Sequence, residues 1–205
     1  MGANILRFWL SSGAYASDVR IGEQLMTQVS ESYRKIRNTF KFLLSNLFDF
    51  NPTTDLIPYN QLGSLDKVML HKLEDLKQSV YEAFDQYRFD VVYRQVNNYM
   101  INDLSAFYLD YTKDILYVES QKGLLRRSVQ TVLYEQLMTL LKVLNPILPH
   151  TTSEAYWALP FDHLDDVYLE KMPEVINYSD RHRELAFEDF MKLRDALLMQ
   201  LDDMR

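Results

Sequence analysis

The sequence predicts an all-α fold, an antiparallel helix bundle with an additional C-terminal helix, and three observations carry that expectation. The 205 residues include only 5 Gly and 6 Pro, well below the usual combined share of about 12%, so the many turns of a stranded protein are missing. Apolar residues recur at spacings of three and four over stretches too long for strands. Hydrophobic residues make up 47% of the chain, enough to bury roughly 70% of the surface of the unfolded polypeptide.

Taken in order, residues 1–10 form a short helical piece with an apolar edge of Ile5, Leu6, Trp9 and Leu10. Such a piece needs a partner, and without one Trp9 is expected to be exposed. Residues 11–19 read as a loop ending at Asp18-Val19-Arg20. A long helix follows over about 21–48, its buried side marked by Ile36, Phe40, Leu43 and Leu47. Asn51-Pro52 and Ile57-Pro58 bound a polar connection that closes at Gly63-Ser64, where Ser64 is the expected N-cap and Asp66 falls in the favourable first turn.

The next helix carries Leu65, Met69, Leu73 or Leu76, Val80, Phe84 and Tyr87 as its core stripe. Residues 88–113 form a third, with Val92, Val96, Met100, Leu104, Phe107 and Tyr108 buried and Arg94 and Asn98 on another face. After a break at Gly123, residues 124–144 present Leu125, Val132, Leu133, Leu137, Leu140, Leu141 and Leu144. Helices of this length make a bundle. Asn145-Pro146-Ile147-Leu148-Pro149-His150 forbids helix before each proline, and Thr151 with Glu154 reads as a capping box for a further helix through Trp157. An acidic, irregular segment punctuated by Pro160 and Pro173 leads to a last helix over 180–205, with Leu185, Phe190, Leu193, Leu197 and Leu201 apolar. The expected organisation is a junction segment over 1–20, a helix bundle over 21–160, and an acidic connection with the C-terminal helix over 161–205.

Charge divides this chain unevenly. Residues 1–159 hold 16 Lys or Arg against 17 Asp or Glu, and residues 160–205 hold 6 against 12. A polyanion can therefore approach the first three quarters while the end repels it. Within the first long helix, Arg34, Lys35, Arg37 and Lys41 put four positive charges between Tyr33 and Phe42 with no acid among them. The bland reading of such a stripe is a solvated face paired with Glu31; the functional one is contact with phosphates, with Tyr33 and Asn38 stacking on or bonding to bases. Arg126-Arg127 is a second basic pair, for which ordinary surface is the stronger reading.

Enzymatic constellations are wanting. The sequence has no Cys, so no disulfide, thiolate metal site or thiol nucleophile is possible. His71, His150, His163 and His182 stand in unrelated contexts and form no metal-ligating pattern. There is no phosphate-cradling Gly-rich loop and no Gly-x-Ser-x-Gly. Asp162, Asp165 and Asp166 read as an exposed acidic loop, His150 as structural, and Asp103 as a buried, hydrogen-bonded carboxylate. No apolar run approaches the ~18 residues of a membrane span, and no leader follows Met1, so a cytoplasmic protein without membrane contact is expected.

YRKIRNTFKFLLSNLFDF at 33–50, NDLSAFYLDYTKDILY at 102–117, RRSVQTVLYEQL at 126–137 and NPILPHTTSEAYWALP at 145–160 together resemble the anticodon-binding domain of bacterial isoleucyl-tRNA synthetases. The opening GANILRFWLSSGAYASDVRI resembles the segment after that family's KMSKS loop, and KLRDALLMQLDDMR the helix leading toward its C-terminal region. The general bundle is shared with valyl, leucyl and methionyl relatives, whereas the run from Arg37 to Phe50 and the run from Asp103 to Asp114 point to the isoleucyl branch. Lys41 stands where that family often has Arg, keeping the charge but losing the planar fork.

The resemblance implies a class I synthetase bundle that holds the anticodon stem and loop of tRNA(Ile), through Arg34, Lys35, Arg37, Asn38 and Lys41, with Arg88, Arg94, Arg126 and Arg127 extending the track. It implies an excised fragment, because the HIGH and KMSKS signatures and the editing domain are absent. ATP, magnesium and zinc are expected to act only in parts outside it, and the catalytic and C-terminal domains of the parent chain would be its protein partners, with Asp18 and Arg20 at the junction. No DNA partner is expected. The rivals from other classes are a helical protein-interaction module, in which the basic stripe meets acidic side chains, and a free-standing helical enzyme, for which no acid, base and nucleophile can be assembled.

Overall fold

The computed structural model describes residues 2–13, 21–179 and 182–203, and every described element is helical or irregular. Helix α1 spans Ala3–Ser12, α2 Glu23–Asn46, α3 Ser64–Asp85 and α4 Phe89–Asn98. A π-helical segment over Tyr99–Leu109 joins α4 to α5, Asp110–Val118. Then come α6 over Leu124–Leu144, α7 over Pro149–Trp157 and α8 over His182–Asp203. Asp18 and Arg20 lie outside the described residues.

Helix α6 forms the axis, packing on α2, α3, α5 and α7. Its Val132, Leu133, Leu137, Leu140, Leu141 and Leu144 are fully buried, because a stripe this wide leaves no side for water. Ile36, Phe40 and Leu43 of α2 and Leu47 at its C-cap meet this core as their spacing predicts, as do Met69, Leu73, Leu76 and Val80 of α3. Leu125, by contrast, is exposed at the first turn of α6.

Several local expectations change. Helix α3 is capped by Gly63, not Ser64. Asp66 supplies the return half of a capping box by accepting from the Gly63 backbone N–H, and takes the Tyr108 hydroxyl at 2.7 Å. Tyr87 leaves the α3 core stripe because the helix has already ended: Arg88 N–H reaches Ala83 O at 2.8 Å and Tyr87 N–H reaches Phe84 O at 3.0 Å. This is a Schellman stop with Tyr87 in the left-handed region at φ 54°. Helix α7 starts at Pro149, which suits the first helical position. Thr151 is therefore inside the helix and forms no capping box with Glu154; its hydroxyl bonds to Asn4 and Tyr33 instead.

The expected third helix is continuous but changes hydrogen-bonding pattern within it, since π geometry bonds i to i+5 and is rare over more than one turn. Asp103 is not fully buried; it holds Lys72 at 2.7 Å at a partly exposed position. Helix α1 is seated by Phe8 against Tyr93, ring centroids 4.5 Å apart, and by Arg7 donating to the carbonyls of Pro146 and Ile147. Trp9 is consequently buried, leaving Leu6 and Leu10 exposed.

The acidic segment after α7 is a strap across α3. Glu74 and Lys77, both nearly inaccessible, pair at 2.6 Å; Glu74 accepts from the Ile176 N–H, and Lys77 donates to Glu174 O. Asp166 is a buried anchor rather than part of an exposed loop, accepting from Ser153 Oγ at 2.9 Å. Helix α8 rests on the bundle through Phe187 against Phe107, 5.2 Å between centroids, whereas the expected core residues Phe190, Leu193, Leu197 and Leu201 are exposed.

Candidate nucleic-acid interface

With Ile36, Phe40 and Leu43 turned inward, α2 must turn Arg34, Arg37, Asn38 and Lys41 outward, and all four are exposed. Successive residues lie about 100° apart on an α-helix, so Lys35 emerges on the far side of Asn38 from Arg34. The stripe is therefore two-sided. Arg34 pairs with Glu31 at 3.0 Å and Arg37 with Glu154 at 3.6 Å, both in solvent, where such pairs contribute little. Among the described residues, Lys35 and Lys41 have no carboxylate partner and the Asn38 amide makes no hydrogen bond.

A cleft of about 540 Å³ opens between α2 and α7, with Phe40, Leu44, Ala155 and Ala158 as apolar walls and Arg34 and Lys41 at its rim. A second, of about 400 Å³, lies between α2 and the π segment, with Lys35 and Lys113 beside Phe42, Ile101 and Ala106. The hydrogen bond between Thr39 and Ser105 hydroxyls, 2.9 Å, ties the two helices under it. Ile101 also lines a third, polar cleft of about 510 Å³ that holds Arg94, Asn97, Asn98 and Asn102. The three openings thus run side by side.

The structure gathers Arg34, Lys35, Arg37, Asn38 and Lys41 on the outward side of α2 and puts Arg94 in the separate polar cleft that shares Ile101 with the α2–π cleft. Arg88 is engaged by Asp90 through bonds of 2.9 and 2.8 Å, which hold the Asp90 carboxyl below its usual range. Arg126 and Arg127 do not join the face, and the surface reading of them is corrected. Arg126 is 4% exposed; it grips Asp49 with both terminal nitrogens and donates through Nε to Leu116 O. Arg127 lies 3.7 Å from Asp49 and 3.5 Å from Asp55. Burial pushes the Asp49 carboxyl up, but hydrogen bonds from Arg126 and Gln130 and the two arginine charges outweigh it and hold the group below its ordinary 3.8.

Tyr33 is also withdrawn from base stacking: it packs on the core and its hydroxyl meets Thr151 at 2.8 Å. Lys113 was missed, because nothing in its local spacing shows that the π segment carries it beside α2. It pairs with Asp110 at 2.8 Å, both groups exposed. Among the described residues no three His, Cys, Asp or Glu side chains come together as a metal site, and no helix is long and apolar enough to cross a membrane.

Residues 66–205 match the family described as the anticodon-binding domain of tRNA ligase. Across the whole chain the sequence is similar to isoleucine–tRNA ligases: 46% identical to that of Geobacillus thermodenitrificans (strain NG80-2) over 208 residues, covering 100% of this chain and 22% of the relative. Identity is 43% to the Listeria monocytogenes serotype 4b (strain F2365) ligase, covering 98% and 22% respectively. For the Bacillus subtilis (strain 168) ligase it is 46%, covering 100% and 22%. The chain thus spans about a fifth of the length of these curated relatives.

Proposed function

This chain belongs to the anticodon-binding domain family of tRNA ligases, and on that premise we propose that the outward face of α2 holds the anticodon stem and loop of tRNA(Ile) for a cytoplasmic isoleucine–tRNA ligase. The observation that carries the reading is the run of exposed cations, Arg34, Lys35, Arg37 and Lys41, of which two have no acidic partner among the described residues. Phosphates supply the charge these groups lack, and a bundle that packs them on a rigid core fixes their spacing. Arg94 and Lys113 extend the track at its edge.

In that role the bundle, over 21–160, grips one end of the tRNA while the ATP-dependent joining of isoleucine takes place in another part of the ligase. Magnesium, ATP and zinc would act there. Nothing among the described side chains offers zinc a ligand set, and the sequence has no cysteine. Residues 1–20 and 161–205 would connect the bundle to those parts.

The alternative, a helical protein-interaction module, draws support from one feature, the exposed Phe190, Leu193, Leu197 and Leu201 of α8. Salt separates the two readings. Binding of labelled tRNA(Ile) by this chain, followed by fluorescence anisotropy, is expected to weaken about 100-fold between about 50 and 200 mM salt if four phosphates are neutralised. Changing Arg34, Arg37 and Lys41 together to Glu should abolish it. Absence of binding at low salt, or binding unchanged in that variant, would overturn the assignment.

A further inference from the structure

The polar cleft of about 510 Å³ between Ser12 of α1 and the α4–π helix is built unlike the two that flank α2. Those have apolar walls, whereas this one carries a cation, Arg94, and three amides, Asn97, Asn98 and Asn102. Arg94 is exposed and has no acidic partner among the described residues, because Asp90, one turn before it, is held by Arg88 through two bonds. The amides are also uncommitted. Asn102 donates to Asn98 Oδ1 at 2.7 Å, which leaves the Asn98 NH₂ and the Asn102 carbonyl oxygen exposed and unengaged among the described residues. Asn97 forms no hydrogen bond to a described residue, and its Oδ1 is closed to solvent without a donor. A wall this short of partners is made to receive a polar molecule.

The chemistry present selects which one. Tyr93, the one aromatic side chain among the described wall residues, is spent on packing: its ring lies 4.5 Å from that of Phe8 and its hydroxyl bonds to Ser32. A base therefore has little to stack on, but a sugar and its phosphate find a cation, donors and acceptors. Arg94, Asn98 and Asn102 fall four residues apart, about 6 Å per step along the helix, the order of one sugar–phosphate repeat. Paired RNA presents such a row, since its wide, shallow minor groove displays 2′-hydroxyls between the phosphates.

Resting on the RNA-binding reading above, we propose that this cleft grips the sugar–phosphate backbone of a paired RNA stem, with Arg94 on a phosphate and the Asn98 and Asn102 amides on neighbouring 2′-hydroxyls. An amide donates and accepts, as a hydroxyl does, so the pair tells ribose from deoxyribose. Ile101 lines both this cleft and the α2–π cleft, and a strand held here continues onto the α2 side.

The test separates ribose from charge. The probes are a paired RNA stem of the tRNA(Ile) anticodon-stem sequence, the same stem in DNA, and AMP as a free ribose phosphate, with binding read by anisotropy at about 50 mM salt. The wild type is expected to favour the RNA stem about 10-fold, the scale of one or two hydrogen bonds. Asn98→Ala with Asn102→Ala, both exposed positions checked by thermal melting, should cut that preference to about 2-fold and leave DNA binding unchanged. Single 2′-deoxy substitutions at two or three neighbouring riboses should reproduce the loss in the wild type and add nothing in the double variant. Arg94→Gln should weaken both stems, lower the salt slope by about 1 and keep the RNA preference.

A double variant that retains the wild-type preference refutes the proposal, and if the Arg34, Arg37 and Lys41 charge reversal still abolishes binding, the phosphate-gripping role of α2 survives. Displacement of the RNA stem by AMP also refutes it, assigning the cleft to a free nucleotide. If the unmodified chain binds neither stem nor the tRNA(Ile) anticodon stem-loop, the RNA-binding reading itself falls, and this proposal with it.

Discussion

Two sets of basic side chains sit within a few turns of each other and have opposite fates. Arg34, Lys35, Arg37 and Lys41 along α2 are exposed, with two loose ion pairs at 3.0 and 3.6 Å among them. Just past the end of the same helix, Asp49 collects Arg126, Arg127 and Gln130 into a network that is almost closed to solvent. Position relative to a carboxylate, not residue type, separates a cation that can neutralise something else from one already neutralised. Arg-Arg in the sequence therefore signals nothing until the chain has folded Asp49 onto it.

The largest expected effect tests the closed set. Arg126→Ala strands Asp49 in a site where its carboxylate is poorly solvated, and should cost about 3 kcal/mol of stability by urea denaturation. A loss near zero would mean that the network is no more satisfied than the α2 stripe. A pH titration sharpens the same point, because Asp49→Asn removes the titrating group. Since the folded carboxyl lies below its unfolded 3.8, the stability it contributes is complete above that pH. It is lost as pH falls through the folded value, so the gap between wild type and Asp49→Asn, about 1–2 kcal/mol at neutral pH, should close in acid.

Arg37 lies between the two extremes. Glu154→Gln frees it, and tRNA affinity measured by anisotropy should rise about 2- to 5-fold, the worth of an exposed pair. The smallest effect belongs to the open set: Lys35→Ala and Lys41→Ala should each change stability by less than about 0.5 kcal/mol, yet reduce the slope of log affinity against log salt by about 1. A stability loss comparable to that of Arg126→Ala would erase the distinction.

Elements whose signal is periodic were legible in the sequence. The α2 stripe of Ile36, Phe40, Leu43 and Leu47 fixed which face was left over for Arg34, Asn38 and Lys41, and every one of those is exposed. What could not be read depends on contacts distant along the chain. Tyr33 looked available until Thr151, 118 residues later, took its hydroxyl. Trp9 is covered by its docking within the bundle, and Leu193, Leu197 and Leu201 of α8 look like core although they are exposed, while Phe187 of that helix meets Phe107. Lys113 follows a stretch where the backbone pattern changes and lines the cleft beside α2, and no composition rule announces that change.

That change of pattern has a bearing on how this protein can vary in length. A loop absorbs an inserted or deleted residue because little downstream is registered to it. Within Tyr99–Leu109 each i to i+5 turn holds one residue more than an α turn, so a single deletion there lets the turn tighten to α geometry while Thr112 and Leu116 keep their places in the core and Lys113 stays beside α2. The segment acts as a length buffer, so a one-residue gap drawn through it in a comparison of sequences falls where the helix can accommodate one.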